Sequence, residues 1–230
     1  MNEAMKILNE IFDKILVITI PSFADVNEPV HINNIDFSRN LNRIENMKRR
    51  LDGVDYEFFY GTHGKDIDVQ YYRSKGSRLT RGQMGCALSH YQIYQKMVDE
   101  NLDNVLILED DCVFCENIVE LSEYYAQLPE DYHVFYLGYD CPFMSSFSSH
   151  LNISTGSVGW THSMNVKKHC AEKILEINKD LLWTADGAFT QLHNIEGTQY
   201  HLASPQLTYQ DNDGSASTLY QVDTQYGMGF

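Results

Sequence analysis

Glu109, Asp110 and Asp111 stand in a row directly after the apolar run Val105 to Leu108. Three adjacent carboxylates repel one another, and a divalent cation that prefers oxygen ligands relieves that repulsion. Along an extended chain alternate side chains face the same way, so Glu109 and Asp111 are expected on one side and Asp110 on the other. That spacing suits two ligands on one metal, directly or through water. A solvated acidic turn has the same composition, so the triplet takes its meaning from its setting. In open α/β sheets, ligands bind beyond the carboxyl ends of strands. The run before Glu109 reads as a buried strand that ends at the first acid.

The elements that must hold this triplet can be traced along the chain. Ile15 to Ile20 is a short apolar run closed by Pro21, as expected of another buried strand. Residues 22–37 are rich in Asn, Asp and Glu and read as a long loop, with a short extended piece at Val30 to Ile32. Leu41, Ile44, Met47 and Leu51 recur at helical spacing on a segment that also carries Arg39, Arg43, Lys48, Arg49 and Arg50. Thr80 and Gln83 form a capping-box pattern, and Met84, Ala87, Leu88, Tyr91, Tyr94 and Val98 continue it as a helix ending near Asp99 to Asn101. Ile118, Leu121, Tyr125 and Leu128 predict a helix stopped by Pro129. Val134 to Tyr139 predicts a strand, Val158 to Val166 an extended stretch, and Ala171 to Leu175 a helix. Alternation of this kind implies an α/β domain around a mainly parallel sheet.

Composition narrows the function. Against 32 acidic residues the chain has 17 Lys and Arg, a formal charge of −15, which argues against nucleic acid as a partner. Its 230 residues, 43% hydrophobic and undivided by repeats or linkers, are expected to form one domain over 1–230 that buries roughly 70% of its unfolded surface. The run at Ile15 is far short of the roughly 20 apolar residues a transmembrane helix needs. Charged residues from Glu3 to Lys14 break the pattern of a secretory signal, so a cytoplasmic location is expected. The five cysteines are odd in number and scattered, in keeping with a reducing compartment; Cys112 and Cys115 form a C-x-x-C without a second pair.

The text around the acids is more specific than the acids. Leu79-Thr80-Arg81-Gly82-Gln83-Met84-Gly85-Cys86-Ala87-Leu88-Ser89-His90, followed by Leu108-Glu109-Asp110-Asp111, resembles glycosyltransferase family 25, the group with lipooligosaccharide and procollagen galactosyltransferases. Arg39-x-x-x-Arg43-x-x-x-Met47, Tyr56 to Phe59, Gly64-Lys65-Asp66, Thr161-His162-Ser163, Ala171 to Leu175 and Pro205-x-Leu207-x-x-Gln210 with Ser215 and Ser217 follow in the family's order. The resemblance thus runs from about Arg39 to Ser217. Two departures stand out: Pro21 to Phe37 intervenes between the first strand and the first arginine, and Thr184-Ala185-Asp186 lacks the family's Pro-Val.

The resemblance implies a GT-A-type, Rossmann-like fold and inverting transfer of a sugar, galactose or glucose, from a nucleotide sugar, UDP-linked, to a hydroxyl of a glycan or protein acceptor, as in lipopolysaccharide biosynthesis. Mn²⁺ or Mg²⁺ would be held by Asp111 and Glu109, with Asp110 assisting, and would neutralise the diphosphate that a protein of this charge would otherwise repel. Arg39 and Arg43 are candidates to hold the nucleotide, or else a solvated helix face. Ser89 and His90 are candidate donor contacts or packed structural residues, and Gln210 is a further candidate ligand. Asp186 is the candidate general base, or else a helix N-cap. A non-catalytic nucleotide-sugar or glycan binding protein is the alternative reading.

Overall fold

In the computed structural model residues 3–20 and 38–211 are described, with side chains from Met5 to Ile20 and from Arg43 to Asp211. After a 3-10 turn at Glu3–Lys6, the elements run α1 (Ile7–Ile11), β1 (Lys14–Thr19), α2 (Ser38–Arg50), β2 (Glu57–Tyr60), α3 (Val69–Ser74), α4 (Arg81–Asp99), β3 (Asn104–Glu109) and β4 (Cys112–Phe114). They continue with α5 (Leu121–Tyr125), β5 (Val134–Tyr136), β6 (Met144–Ser146), β7 (Leu151–Ser154), β8 (Ser163–Lys167), α6 (Lys168–Ile177), α7 (Ala185–Glu196), β9 (His201–Ala203) and β10 (Thr208–Gln210).

Eight strands form one sheet in the order β2-β1-β3-β8-β5-β9-β7-β6. Strands β2, β1 and β3 are mutually parallel, as is β5 with β9, whereas β8 runs antiparallel to both β3 and β5, and β6 and β7 form a hairpin at the far edge. The sheet is therefore mixed. Of its antiparallel pairs only β6–β7 is a direct hairpin; β8 pairs with β3 and β5, and β9 with β7, across long connections.

Both faces of the sheet are covered. On β3, Val105 and Ile107 pack with Ile93, Tyr94 and Met97 of α4 and with residues of α6 and α7. Leu106 and Leu108 face the other way, toward Leu8 of α1, Met47 of α2 and Leu121 and Tyr124 of α5. A strand sandwiched in this way has no polar face, which is why residues 105–108 are uniformly apolar. All four are fully buried; at roughly 1.5–3 kcal/mol per large apolar side chain, they anchor the end of the strand where the acids begin.

Local chemistry sets the boundaries. Thr80 and Gln83 make the reciprocal capping-box bonds, Gln83 N–H to Thr80 Oγ1 at 3.2 Å and Thr80 N–H to Gln83 Oε1 at 2.9 Å. The helix expected up to Pro129 is shorter: a 3-10 turn over Glu116–Glu120 leads into α5, and tight three-residue bonds from Gln127 and Leu128 close it, since the residue before proline is disfavoured in α geometry. The extended stretch expected from Val158 becomes a strand only at Ser163, because Trp160 lies in the left-handed region at φ 65°. The expected extended piece at Val30 to Ile32 and the candidate residues Ser215 and Ser217 lie outside the described residues.

Candidate active site

Strand register brings the acids together with their partners. Ile18 pairs with Glu109, so Thr19 at the end of β1 comes level with Asp110, whose Oδ2 accepts the Thr19 hydroxyl at 2.8 Å. Extended alternation ends at Glu109, and Asp110 and Asp111 form the turn into β4. Glu109 lies near enough to Asp111 for its charge to raise that carboxyl, and Asp110 and Asp111 also share a partner. Arg43 places Nη1 at 3.0 Å from Asp110 Oδ1 and Nη2 at 3.4 Å from Asp111 Oδ2.

Strand β10 closes the same side. It pairs antiparallel with β4, placing Gln210 opposite Cys112, and Gln210 Nε2 donates to Asp111 Oδ2 at 3.0 Å. The Asp211 N–H donates to the Asp111 carbonyl at 2.8 Å, and Arg50 joins Asp211 to the Cys112 carbonyl. The other oxygen of Asp111, Oδ1, is buried and has no hydrogen-bond partner among the described residues.

Glu109 turns toward α4 and β8. Its Oε1 accepts the Thr161 hydroxyl at 2.7 Å and lies 3.3 Å from His90 Nε2, while its N–H donates to the His162 carbonyl. Ligand atoms of Cys86, His90 and Glu109 lie within 4.8 Å of one another. Cys86 and His90 are one helical turn apart, so the motif spacing that suggested a helix start also puts both on the face meeting β3.

The three acids have three electrostatic settings. Burial tends to raise Glu109, but the His90 and Thr161 hydrogen bonds hold it below its ordinary value. Burial raises Asp110, with Arg43 and Thr19 opposing. Asp111 is pushed up to about 7, first by burial and then by the charges of Glu109 and Asp110, which Arg43 and Gln210 only partly offset. Burial and the neighbouring acids push the Cys86 thiol well up.

Other expected residues take defined places. Arg39 lies in the first turn of α2, its side chain outside the described residues. Ser89 is 3% exposed, and its hydroxyl donates to the Gly85 carbonyl and accepts the Thr62 N–H, tying α4 to the loop after β2. That loop is the reason for Gly85: a Cβ there would come within 2.8 Å of the Thr62 carbonyl oxygen. His90 is 1% exposed and reaches the site only through Glu109. Asp186 is the second residue of α7; Thr184 is the N-cap. Asp186 Oδ1 accepts from Thr184 Oγ1 at 2.6 Å and from the Gly187 N–H at 2.9 Å, and Oδ2 faces Gly159.

Sequence reasoning did not single out Thr19, Arg50 or Cys86 as site residues, nor Thr161 by its role. Thr19 was signalled only by ending the strand that pairs with β3. Arg50 carried no signal beyond its charge.

Carboxylates and a guanidinium gathered at the carboxyl edge of a parallel strand trio mark an α/β protein whose candidate site lies where open α/β sheets bind their ligands. Residues 27–187 match the sequence model of Glycosyltransferase family 25 (LPS biosynthesis protein), and the chain belongs to that family. With the α/β sheet described above, membership bears out the GT-A-type expectation. A Glycosyltransferase 25 family member from Aedes aegypti is 35% identical over 99 residues, covering 36% of this chain and 16% of the relative. Human procollagen galactosyltransferase 2 is 27% identical over 141 residues, 53% of this chain and 22% of the relative. The procollagen lysyl hydroxylase and glycosyltransferase of Acanthamoeba polyphaga mimivirus is 30% identical over 123 residues, 46% and 13%. The chain thus spans less than a quarter of each relative's length. Among solved structures, mouse xyloside xylosyltransferase 1 overlaps 82% of this chain and 84% of its own at 11% identity and a TM-score of 0.42, too distant to bear on the site. No helix among the described residues is long and apolar enough to cross a membrane.

Proposed function

We propose that this chain transfers a sugar, galactose or glucose, from a UDP-linked donor to a hydroxyl of a glycan or protein acceptor, with inversion. The observation that carries this reading is the pairing of Arg43 with Asp110 and Asp111 at the end of β3. It sets a fixed positive charge and a buried acid pair where a diphosphate would lie. Arg43 holds Asp110 and Asp111 through both of its Nη atoms, and Gln210 and Thr19 fix the same acids, so the pair is set in place to meet a diphosphate through a cation.

A divalent cation fits the same acids. Asp111 Oδ1 is a buried oxygen lacking a partner among the described residues, and carboxylate oxygens are the donors Mn²⁺ and Mg²⁺ prefer. Asp111, with Asp110 beside it, would hold the ion, which supplies charge neutralisation to the leaving diphosphate. The Cys86, His90 and Glu109 group offers sulfur and nitrogen, a softer set suited to other metals. Glu109, whose Oε1 is bonded to Thr161 and His90, assists at the ion or serves as an oriented acceptor for sugar hydroxyls.

Asp186 takes the acceptor proton. Its Oδ1 is held by Thr184 and Gly187, which orients Oδ2 toward the Gly159 segment. Ser89 and His90 support the site by packing and by positioning Glu109. Support for galactosyl transfer comes from the name of the human relative.

Incubating the purified chain with UDP-galactose or UDP-glucose, Mn²⁺ and a panel of glycan and peptide acceptors should yield a new glycoside of inverted anomeric configuration. Nucleotide-sugar binding with no glycoside formed on any acceptor would favour a non-catalytic binding protein.

A further inference from the structure

We infer that Trp160 is a stacking platform for a pyranose ring held between Asp186 and Glu109, an inference that rests on the proposed transfer of a sugar and names where the sugar sits. Trp160 is 44% exposed and has φ 65°, a conformation that costs any residue with a Cβ and is rarely found for a bulky one. Such strain persists only where surrounding contacts over-determine it.

Those contacts are all present, and they lead into the site. On one side of Trp160, Gly159 and Asp140 exchange both backbone hydrogen bonds, at 2.7 and 3.1 Å. A Cβ on Gly159 would lie 4.0 Å from Asp186 Oδ2. On the other side, the Thr161 hydroxyl donates to Glu109 at 2.7 Å. The indole meets the buried His162 ring edge-on, with centroids 6.0 Å apart. An aromatic face is thus fixed on a short segment with the candidate base beside one end and the first acid hydrogen-bonded to the other.

The charge around it selects the ligand. Asp186, Asp140 and Glu109 are the acids beside this segment, whereas Arg43 lies with Asp110 and Asp111. Phosphates are repelled by the first group, whereas at Asp110 and Asp111 Arg43 and a divalent cation held there would together offset the acids. A sugar has no charge, offers hydroxyl donors to carboxylates, and presents an apolar C–H face to an indole. A nucleobase would also stack, but it would have to reach past the diphosphate position to do so.

The chain has two tryptophans, Trp160 and Trp183, so Trp183→Phe leaves Trp160 as the sole indole emitter. Titrating that variant with methyl galactoside, methyl glucoside, UDP-galactose, UDP-glucose and UDP, each with Mn²⁺, should give a saturable fluorescence change with at least one sugar-bearing ligand and none with UDP alone. Response to a methyl glycoside assigns the acceptor side; response confined to a UDP-sugar assigns the donor side. Trp160→Gly removes the strain as well as the platform. It should keep or raise Tm while weakening affinity for the responding sugar at least tenfold, and Trp160→Phe should retain affinity within a few-fold. Silence with every sugar, an equal response to UDP alone, or unchanged sugar affinity in Trp160→Gly overturns the inference. Sugar binding at Trp160 without glycoside formation would instead overturn the transfer reading and leave this one standing. Glycoside formation with a silent Trp160 would do the reverse.

Discussion

The two sides of the Glu109-Asp110-Asp111 turn are built on opposite principles. Toward α2 and β10 the acids are compensated by cations: Arg43 spans the buried Asp110 and Asp111, and Arg50 meets the partly exposed Asp211. Toward α4 and β8, the compensation comes from His90 and the Thr161 hydroxyl, and the segment that carries Thr161 also presents the exposed Trp160 indole. A ligand with a charged half and an uncharged half is matched by that division. Adjacent residues of one type can thus do different work, because the environment and not the residue decides which carboxylate stays ionised.

The sharpest way to break this contrast is to remove charge on the cationic side. Asp111→Asn should bring metal-stimulated turnover down to background, a loss of about 10³-fold or more if the ion is held there. EDTA should do the same to the unsubstituted chain, with Mn²⁺ restoring it. Full activity in chelated protein would return the acids to a purely structural role.

On the other side the corresponding change is Asp186→Asn. Asparagine can still accept from Thr184 and Gly187, so the fold should hold while kcat drops about 10²–10⁴-fold, the usual contribution of a general base. A near-normal kcat would remove Asp186 from the chemistry, and Asp211 would be examined next.

Stability separates the sides further. Arg43→Ala leaves two buried acids without their cation and should cost about 2–3 kcal/mol, somewhat below the usual penalty for breaking a buried pair because Arg43 is partly exposed. Urea unfolding of the metal-free variant at pH 8 measures it.

The pH response of Asp111 is a finer probe. In the folded chain its carboxyl keeps its proton up to about 7, whereas in the unfolded chain it loses it at about 4. The folded state therefore binds more protons between those values, and stability falls as pH rises through that window. In chelated protein Asp111→Asn should be more stable than the parent by about 1–3 kcal/mol at pH 8, with the advantage gone below about pH 4. A difference that does not vary with pH would contradict the raised carboxyl. The smallest effect is expected from Thr161→Val, about 1–2 kcal/mol for a hydrogen bond to a charged group, seen as a lower Tm.

Much of the scaffold could be read directly. The apolar run before Glu109, the helical spacing from Leu41 to Leu51 and the Thr80–Gln83 cap are local patterns, and local patterns follow from backbone geometry and hydrogen-bond satisfaction among near neighbours. The antiparallel placement of β8 between β3 and β5 is not of that kind; it depends on which strands meet, and no short stretch encodes it. The same division holds in the site. Glu109, Asp110 and Asp111 were legible because three consecutive acids after a buried strand are rare, and Arg43 because its helix gathers scarce positive charge.

What the residues by themselves determined was the acid cluster, its place at a strand end and the family to which its surroundings point. What only the tertiary structure decided was which acid faces which partner. The turn after Glu109 ended the alternation that periodicity assumes, so Asp110 and Asp111 met Arg43 together, and Glu109 met Thr161 from a segment 52 residues away. Burial and charge at such contacts fall off over a few ångströms, whereas sequence separation says nothing about distance until the sheet has formed.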